Sequence, residues 1–117
     1  MKIVHTYASE YCPNGIDCAK VHGLSDGDLL VRGYKLRARA RTLRAGQDAV
    51  RIPAEVYRSA RAALGDRLER VVIGRHRDGD TLIRGSVITD HERASLTLPD
   101  HEDAVRVTGP TREEAPA

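Results

Sequence analysis

The sequence predicts a mainly β or α+β fold: a small antiparallel sheet built from two related hairpin units, with one amphipathic helix. Three observations predict it. The chain has no Phe, no Trp and four Tyr in 117 residues, so Leu, Val, Ile and Ala must fill the core. Short and branched aliphatic side chains suit a pleated surface better than a wide helix interface. Short apolar runs alternate with Gly, Pro and Asp turn signals. Finally, two strand motifs each occur twice, in the same order.

Asp26-Gly-Asp-Leu-Leu-Val-Arg-Gly33 recurs as Asp78-Gly-Asp-Thr-Leu-Ile-Arg-Gly85, and Asp48-Ala-Val-Arg-Ile52 recurs as Asp103-Ala-Val-Arg-Val107. Matching order argues for internal duplication, although Asp-Gly is also a common hairpin turn and Val-Arg a common strand pair. In each copy Asp-Gly supplies a positive-φ turn and the following aliphatic residues a short buried strand, which Arg32 or Arg84 closes beside a glycine.

Taken along the chain, the same signals place strands near 2–7, 18–23, 28–36, 48–52, 68–76, 81–88, 94–98 and 103–107. One helix interrupts them. Pro53 suits its first turn, Glu55 complements its N-terminal dipole, and Gly65 stops it. Val56, Tyr57, Ala60, Ala63 and Leu64 fall on one face at helical spacing, with Arg58 and Arg61 on the wet side. Residues 1–108 form one domain. Residues 109–117 hold two Pro and no apolar pattern, and read as a disordered tail.

The net charge of +2 hides an asymmetry. Residues 31–75 carry twelve Lys/Arg against four Asp/Glu, whereas both flanks are acidic. A basic middle points to an anionic partner, or to ends that neutralise it. Within it, Lys35, Arg37, Arg39 and Arg41 alternate with Leu36, Ala38 and Ala40, so one face of a strand would be cationic. Together with Arg44 these side chains are candidates for contact with a nucleic-acid backbone, DNA or RNA, through salt-sensitive phosphate contacts. A solvated hairpin tip is the plainer alternative.

Cys12 and Cys18 read as reduced thiols or metal ligands, and cytoplasmic placement is expected, because no apolar run approaches a signal peptide or a membrane span. Cys12, Cys18 and His22 have the spacing C-x5-C-x3-H, which resembles the end of a CCCH zinc finger. That resemblance implies one Zn²⁺, with His5 as the fourth ligand. The same residues also read as a buried cysteine, a loop cysteine and ordinary histidines, with no cofactor. In that case the two thiols could pair on oxidation.

Two further resemblances concern regulation. Ala49-Val-Arg-Ile-Pro-Ala-Glu-Val-Tyr57, Leu64-Gly-Asp-Arg-Leu-Glu69 and Asp78-Gly-Asp80 resemble the strand, helix and Gly-Asp strand of AbrB-type swapped-hairpin antitoxins. This implies an intertwined DNA-binding dimer using Arg51 and the arginines before it. Cys18-Ala-Lys-Val, Leu30-Val-Arg-Gly and Val50-Arg-Ile-Pro-Ala-Glu-Val-Tyr57 resemble the small actinobacterial BldB-like family, encoded beside WhiJ-type regulators. This implies a regulatory role with a protein partner such as a transcription regulator.

No phosphate-cradling glycine loop, nucleophile elbow or zinc-protease helix is present in the sequence. Asp90-His91-Glu92 and Asp100-His101-Glu102 read as solvated turns at the two ends of the strand at 94–98. The expectation is therefore a regulatory protein without catalytic activity, acting through protein contacts, with binding of nucleic acid through the basic segment at 35–44 as the alternative. Dimerisation would cover exposed strand edges, and no membrane partner is expected.

Overall fold

A computed structural model describes residues 1–11, 18–36 and 43–109. Seven antiparallel strands form one sheet: β1 (Ile3–Ser9), β2 (Lys20–Leu24), β3 (Leu29–Lys35), β4 (Gln47–Ile52), β5 (Val72–Arg75), β6 (Thr81–Val87) and β7 (Glu102–Val107). Helices α1 (Ala54–Leu64) and α2 (Asp66–Glu69) separate β4 from β5, and α3 (Asp90–Leu96) separates β6 from β7.

Consecutive strands β3 and β4 touch only where Tyr34 and Lys35 meet Arg51 and Val50. Along the rest of its length β3 pairs with β7, from Leu29 opposite Val107 to Tyr34 opposite Glu102. In turn β4 pairs with β6, from Gln47 opposite Ser86 to Ile52 opposite Thr81. A short contact of Ser86 and Val87 with Arg106 and Val105 joins β6 to β7 and closes the ring β3–β7–β6–β4. Strand β2 extends it from β3, β1 extends it from β2, and β5 extends it from β6.

The two motif copies occupy equivalent places in this ring. In the β2–β3 turn Gly27 has φ 93° and the Asp26 carboxylate accepts from the Asp28 N–H at 3.0 Å. In the β5–β6 turn Gly79 has φ 95° and Asp78 accepts from the Asp80 N–H at 3.0 Å. Each unit then grips the other. Arg51 Nη1 donates to Asp80 Oδ2 at 2.8 Å, and Arg106 Nε donates to Asp28 Oδ2 at 2.7 Å. Gly33 and Gly85 sit where strands cross. A Cβ at Gly33 would lie 2.6 Å from the Arg51 carbonyl oxygen, and one at Gly85 would lie 2.7 Å from that of Arg106. Only a residue without a side chain fits there.

The main core lies on one side of the sheet. Val21, Leu29, Val31, Val50, Ile52, Ile83, Val105 and Val107 pack there with Val56, Tyr57 and Ala60 of α1 and Leu68 of α2. Pro53 caps α1, its carbonyl accepting from the Val56 and Tyr57 N–H groups at 3.0 and 3.1 Å. Gly65 ends α1 with φ 58°. Leu64 is half-buried and Ala63 is exposed, so the apolar face is narrower than its spacing predicts. A second cluster of Leu24, Leu30, Ile88 and Ala104 packs against Leu96 and Leu98.

Three expectations need correction. The strand expected at 94–98 lies mostly within helix α3. Thr89 accepts from the Glu92 N–H at 3.1 Å while Glu92 accepts from the Thr89 N–H at 2.9 Å, a reciprocal cap that outweighs the strand-like alternation of Ala94 to Leu98. Asp90, His91 and Glu92 are thus the first turn of a helix, not a solvated turn before a strand. The strand expected at 68–76 begins only at Val72, because Gly65 starts the short helix α2 ahead of it. Gly109, expected in the tail, is buried and its N–H donates to Asp28 Oδ1 at 2.7 Å; residues 110–117 lie outside the described residues.

Candidate functional site

Where the end of β6 crosses β7, four arginines line a pocket of about 240 Å³. Arg67 reaches it from α2, Arg70 from the turn that follows, Arg84 from β6 and Arg106 from β7. Gln47, Ser86 and Thr108 add neutral polar groups, and no carboxylate lines the pocket among the described residues.

The four cations are not equivalent. Arg106 is held by Asp28 at 2.7 Å, by Glu92 at 3.0 Å and by Asp26. The hydrogen bond to Asp28 and the nearby carboxylates raise its proton affinity further, so its charge is internally balanced. Arg84 makes a long 3.5 Å hydrogen bond to the Arg70 carbonyl oxygen. Arg67 donates through Nη2 to the Gly27 carbonyl oxygen, whereas its Nε is buried with no hydrogen-bond partner. An unpaired buried guanidinium N–H costs about 1–3 kcal/mol, a deficit that an anion would remove. The pocket can therefore bind an anionic group through charge-assisted hydrogen bonds.

This pocket adjoins the basic segment. Arg44 and Gln47 exchange hydrogen bonds, backbone N–H of Gln47 to the Arg44 carbonyl at 3.0 Å and Arg44 N–H to Gln47 Oε1 at 3.2 Å. Gln47 thus belongs both to the pocket wall and to the base of that segment. Lys35 and Arg44, at its two ends, are exposed. Arg37, Arg39 and Arg41 lie outside the described residues. Arg51, the remaining candidate for phosphate contact, is half-buried, ion-paired with Asp80 at 2.8 Å and seated over the Tyr34 ring at 5.3 Å. Its charge is committed within the fold.

Of the proposed zinc ligands, His5 and His22 do not share a face of the sheet. His5 and Thr6 face Gly23 and His22 across the β1–β2 pair, so alternation sends His5 and His22 to opposite faces. His5 is exposed and meets the Tyr7 ring edge-on with centroids 4.6 Å apart. His22 is buried, with Nδ1 2.8 Å from Thr6 Oγ1. Burial, assisted by Lys20 and Arg32, lowers its pKa from 6.5 to about 4. Cys18 is buried and disulfide-bonded, where thiols or metal ligands were expected; Cys12 lies outside the described residues. Among the described residues no three His, Cys, Asp or Glu side chains group as a metal site requires.

A second charged cluster is buried in the other half of the ring. Glu102 is 1% exposed and accepts from Arg32 Nε at 3.0 Å. Its second oxygen lies 3.6 Å from His101 Nε2. Tyr34 stacks on His101 with centroids 6.0 Å apart and donates its hydroxyl to Glu10. Burial and the Glu10 carboxylate push the Tyr34 phenol well above its ordinary range. Glu102 Oε1 is thus paired, whereas its Oε2 is buried without a hydrogen-bond partner.

No family model matches the chain, and neither a curated protein nor a solved structure shows significant similarity to it. Function therefore has to be argued from the site. No helix among the described residues is long and apolar enough to cross a membrane.

Proposed function

We propose that this chain is a regulatory module without catalytic activity that binds nucleic acid through its phosphate backbone. One observation carries the reading: Arg67 and Arg84 converge on a pocket that no carboxylate lines among the described residues. Clustered cations repel one another, and a polyanion is the partner that relieves the repulsion. The exposed Arg44 beside Gln47 supports the same reading, since it adds a cation next to the pocket wall. Such contacts confer salt-sensitive affinity and orientation rather than base-specific readout.

A second reading rests on β1. Among the described residues this strand pairs only with β2, and Ile3 and Val4 on it are 40% and 57% exposed. An edge strand with exposed apolar residues can add a strand from a partner protein, such as a transcription regulator, or from a second copy of the chain.

The experiment is fluorescence anisotropy of labelled DNA and RNA duplexes titrated with the protein at several salt concentrations. The proposal expects affinity that falls steeply with salt, and that falls further when Arg67 and Arg84 are both changed to Ala. Arg37, Arg39 and Arg41 changed together to Ala test the basic segment in the same assay. Absence of binding at low salt would refute the nucleic-acid reading and leave the β1 edge as the contact surface.

A further inference from the structure

The pocket has a counterpart in the other half of the molecule, and the two differ in one instructive way. Antiparallel register sets Arg84 opposite Ala49 and Ser86 opposite Gln47. In the other half it sets Arg32 opposite Ala104 and Tyr34 opposite Glu102. Arg84, Ser86 and Gln47 are therefore the equivalents of Arg32, Tyr34 and Glu102. A residue and its diagonal neighbour across such a pair lie within reach of long side chains.

In the first half the protein supplies its own anions. Glu102 bonds Arg32 at 3.0 Å. Glu10, at the end of β1, accepts from the Ala19 N–H at 3.2 Å and from the Tyr34 hydroxyl. In the second half Glu102 is replaced by neutral Gln47, and the tyrosine by the small hydroxyl of Ser86. No acidic side chain takes the place of Glu10 among the lining residues. Serine in place of tyrosine removes a ring's bulk, and a pocket of about 240 Å³ lies beside Arg84.

We infer that the pocket is a seat for one phosphate group, held by Arg84 and Arg67 beside Gln47, whose counterpart Glu102 binds Arg32 in the other half. The buried Arg67 Nε, without an acceptor, supplies a donor for that group, and Ser86 and Thr108 supply hydroxyls. The volume is below the range of roughly 300–1,000 Å³ usual for sites that enclose a whole drug-sized ligand. It suits a phosphate whose remaining atoms lie outside, as in a nucleic-acid backbone or a mononucleotide. The backbone assignment rests on the proposed function; the phosphate seat does not.

The test is Gln47→Glu, which recreates in the second half the ion pair of Arg32 with Glu102. Inorganic phosphate, AMP and a short DNA duplex are titrated separately into the full chain, followed through arginine Nε–H resonances by NMR. In the unaltered chain phosphate is expected to shift the Nε–H signals of Arg67 and Arg84. In Gln47→Glu the affinity for phosphate is expected to fall by about tenfold or more, the loss of a charge-assisted contact. Thermal unfolding of Gln47→Glu at or above the temperature of the unaltered chain shows that the loss is not misfolding. Arg84→Gln, which adds no new charge, should lose phosphate in the same way.

Phosphate and DNA binding, both lost in Gln47→Glu, support the seat and its occupation by a backbone. Phosphate or AMP binding without DNA binding supports the seat and refutes the nucleic-acid reading. DNA binding that Gln47→Glu and Arg84→Gln leave unchanged, with no phosphate-induced shifts at Arg67 or Arg84, overturns the seat while the nucleic-acid reading stands.

Discussion

Alanine at Gly33 or at Gly85 makes the same demand on the two halves of the ring. The new Cβ would meet the Arg51 carbonyl oxygen at 2.6 Å and Ile52 Cγ2 at 2.9 Å in the first case. In the second it would meet the Arg106 carbonyl oxygen at 2.7 Å and Val105 Cβ at 2.9 Å. Ordinary contact begins near 3.4 Å, so the crossing strands must separate by about 0.7–0.8 Å. The obstructing atoms are backbone, held by ladder hydrogen bonds, and no rotamer change removes the clash. Overpacking of this kind costs about 1–3 kcal/mol, and rigid backbone places both sites at the upper end. A loss of about 3 kcal/mol is a large part of the roughly 5–15 kcal/mol that stabilises a domain. It should lower the unfolding temperature by roughly 10 °C. Urea unfolding followed by circular dichroism measures it directly. Gly74→Ala is the control, since its Cβ would meet only Leu82 Cδ1, at 3.6 Å, and a change below about 0.5 kcal/mol is expected. Midpoints for Gly33→Ala and Gly85→Ala equal to that of the unaltered chain would refute the packing argument. A loss at only one would show that the two crossings are not equivalent.

Other perturbations follow from the same geometry. Glu102→Gln breaks the buried ion pair of Glu102 with Arg32 and is expected to cost about 3 kcal/mol or more in urea unfolding. His22 titrates near 4 in the fold against 6.5 in the unfolded chain, so the unfolded chain binds more protons between those values. Stability should be full above about pH 6.5 and fall by up to about 3 kcal/mol as the pH drops towards 4, a slope that His22→Gln removes. Thr89→Ala removes the reciprocal cap of α3, worth about 1 kcal/mol, and should speed amide hydrogen exchange at residues 90–96. Because α3 buries no residue, the global unfolding midpoint should move less than the local exchange.

The Asp26-Gly27 and Asp78-Gly79 turns, the aliphatic strands and the Pro53-to-Gly65 helix were legible because each rests on chemistry local to a few residues. Helix α3 was missed although Thr89 and Glu92 carry the spacing of a capping box. The alternation of Ala94 to Leu98 carries the opposite, strand-like signal. Pairing of β3 with β7 and of β4 with β6 was not legible, since an antiparallel neighbour next in sequence is the simpler expectation. For the same reason the ion pairs of Arg51 with Asp80 and of Arg106 with Asp28 could not be foreseen. Arg51, which the AbrB-type resemblance offers for DNA contact, is paired with an acid that arrives from the other copy. Arg67, Arg70 and Arg84 stand on separate elements and form no run in the sequence, so the dense segment 35–44 drew attention instead. One signal was present: the aligned copies set Gln47 against Glu102, the single loss of charge in an otherwise matching Asp-Ala-Val-Arg strand.

The most direct measurement of the central claim is an amide and arginine Nε–H chemical-shift map of the isotope-labelled chain titrated with a short DNA duplex at low salt. The account predicts perturbations concentrated at Arg67, Arg70, Arg84, Ser86 and Thr108, continuing through Gln47 and Arg44 into the basic segment. Perturbations confined to β1, or none at any DNA concentration, would contradict it.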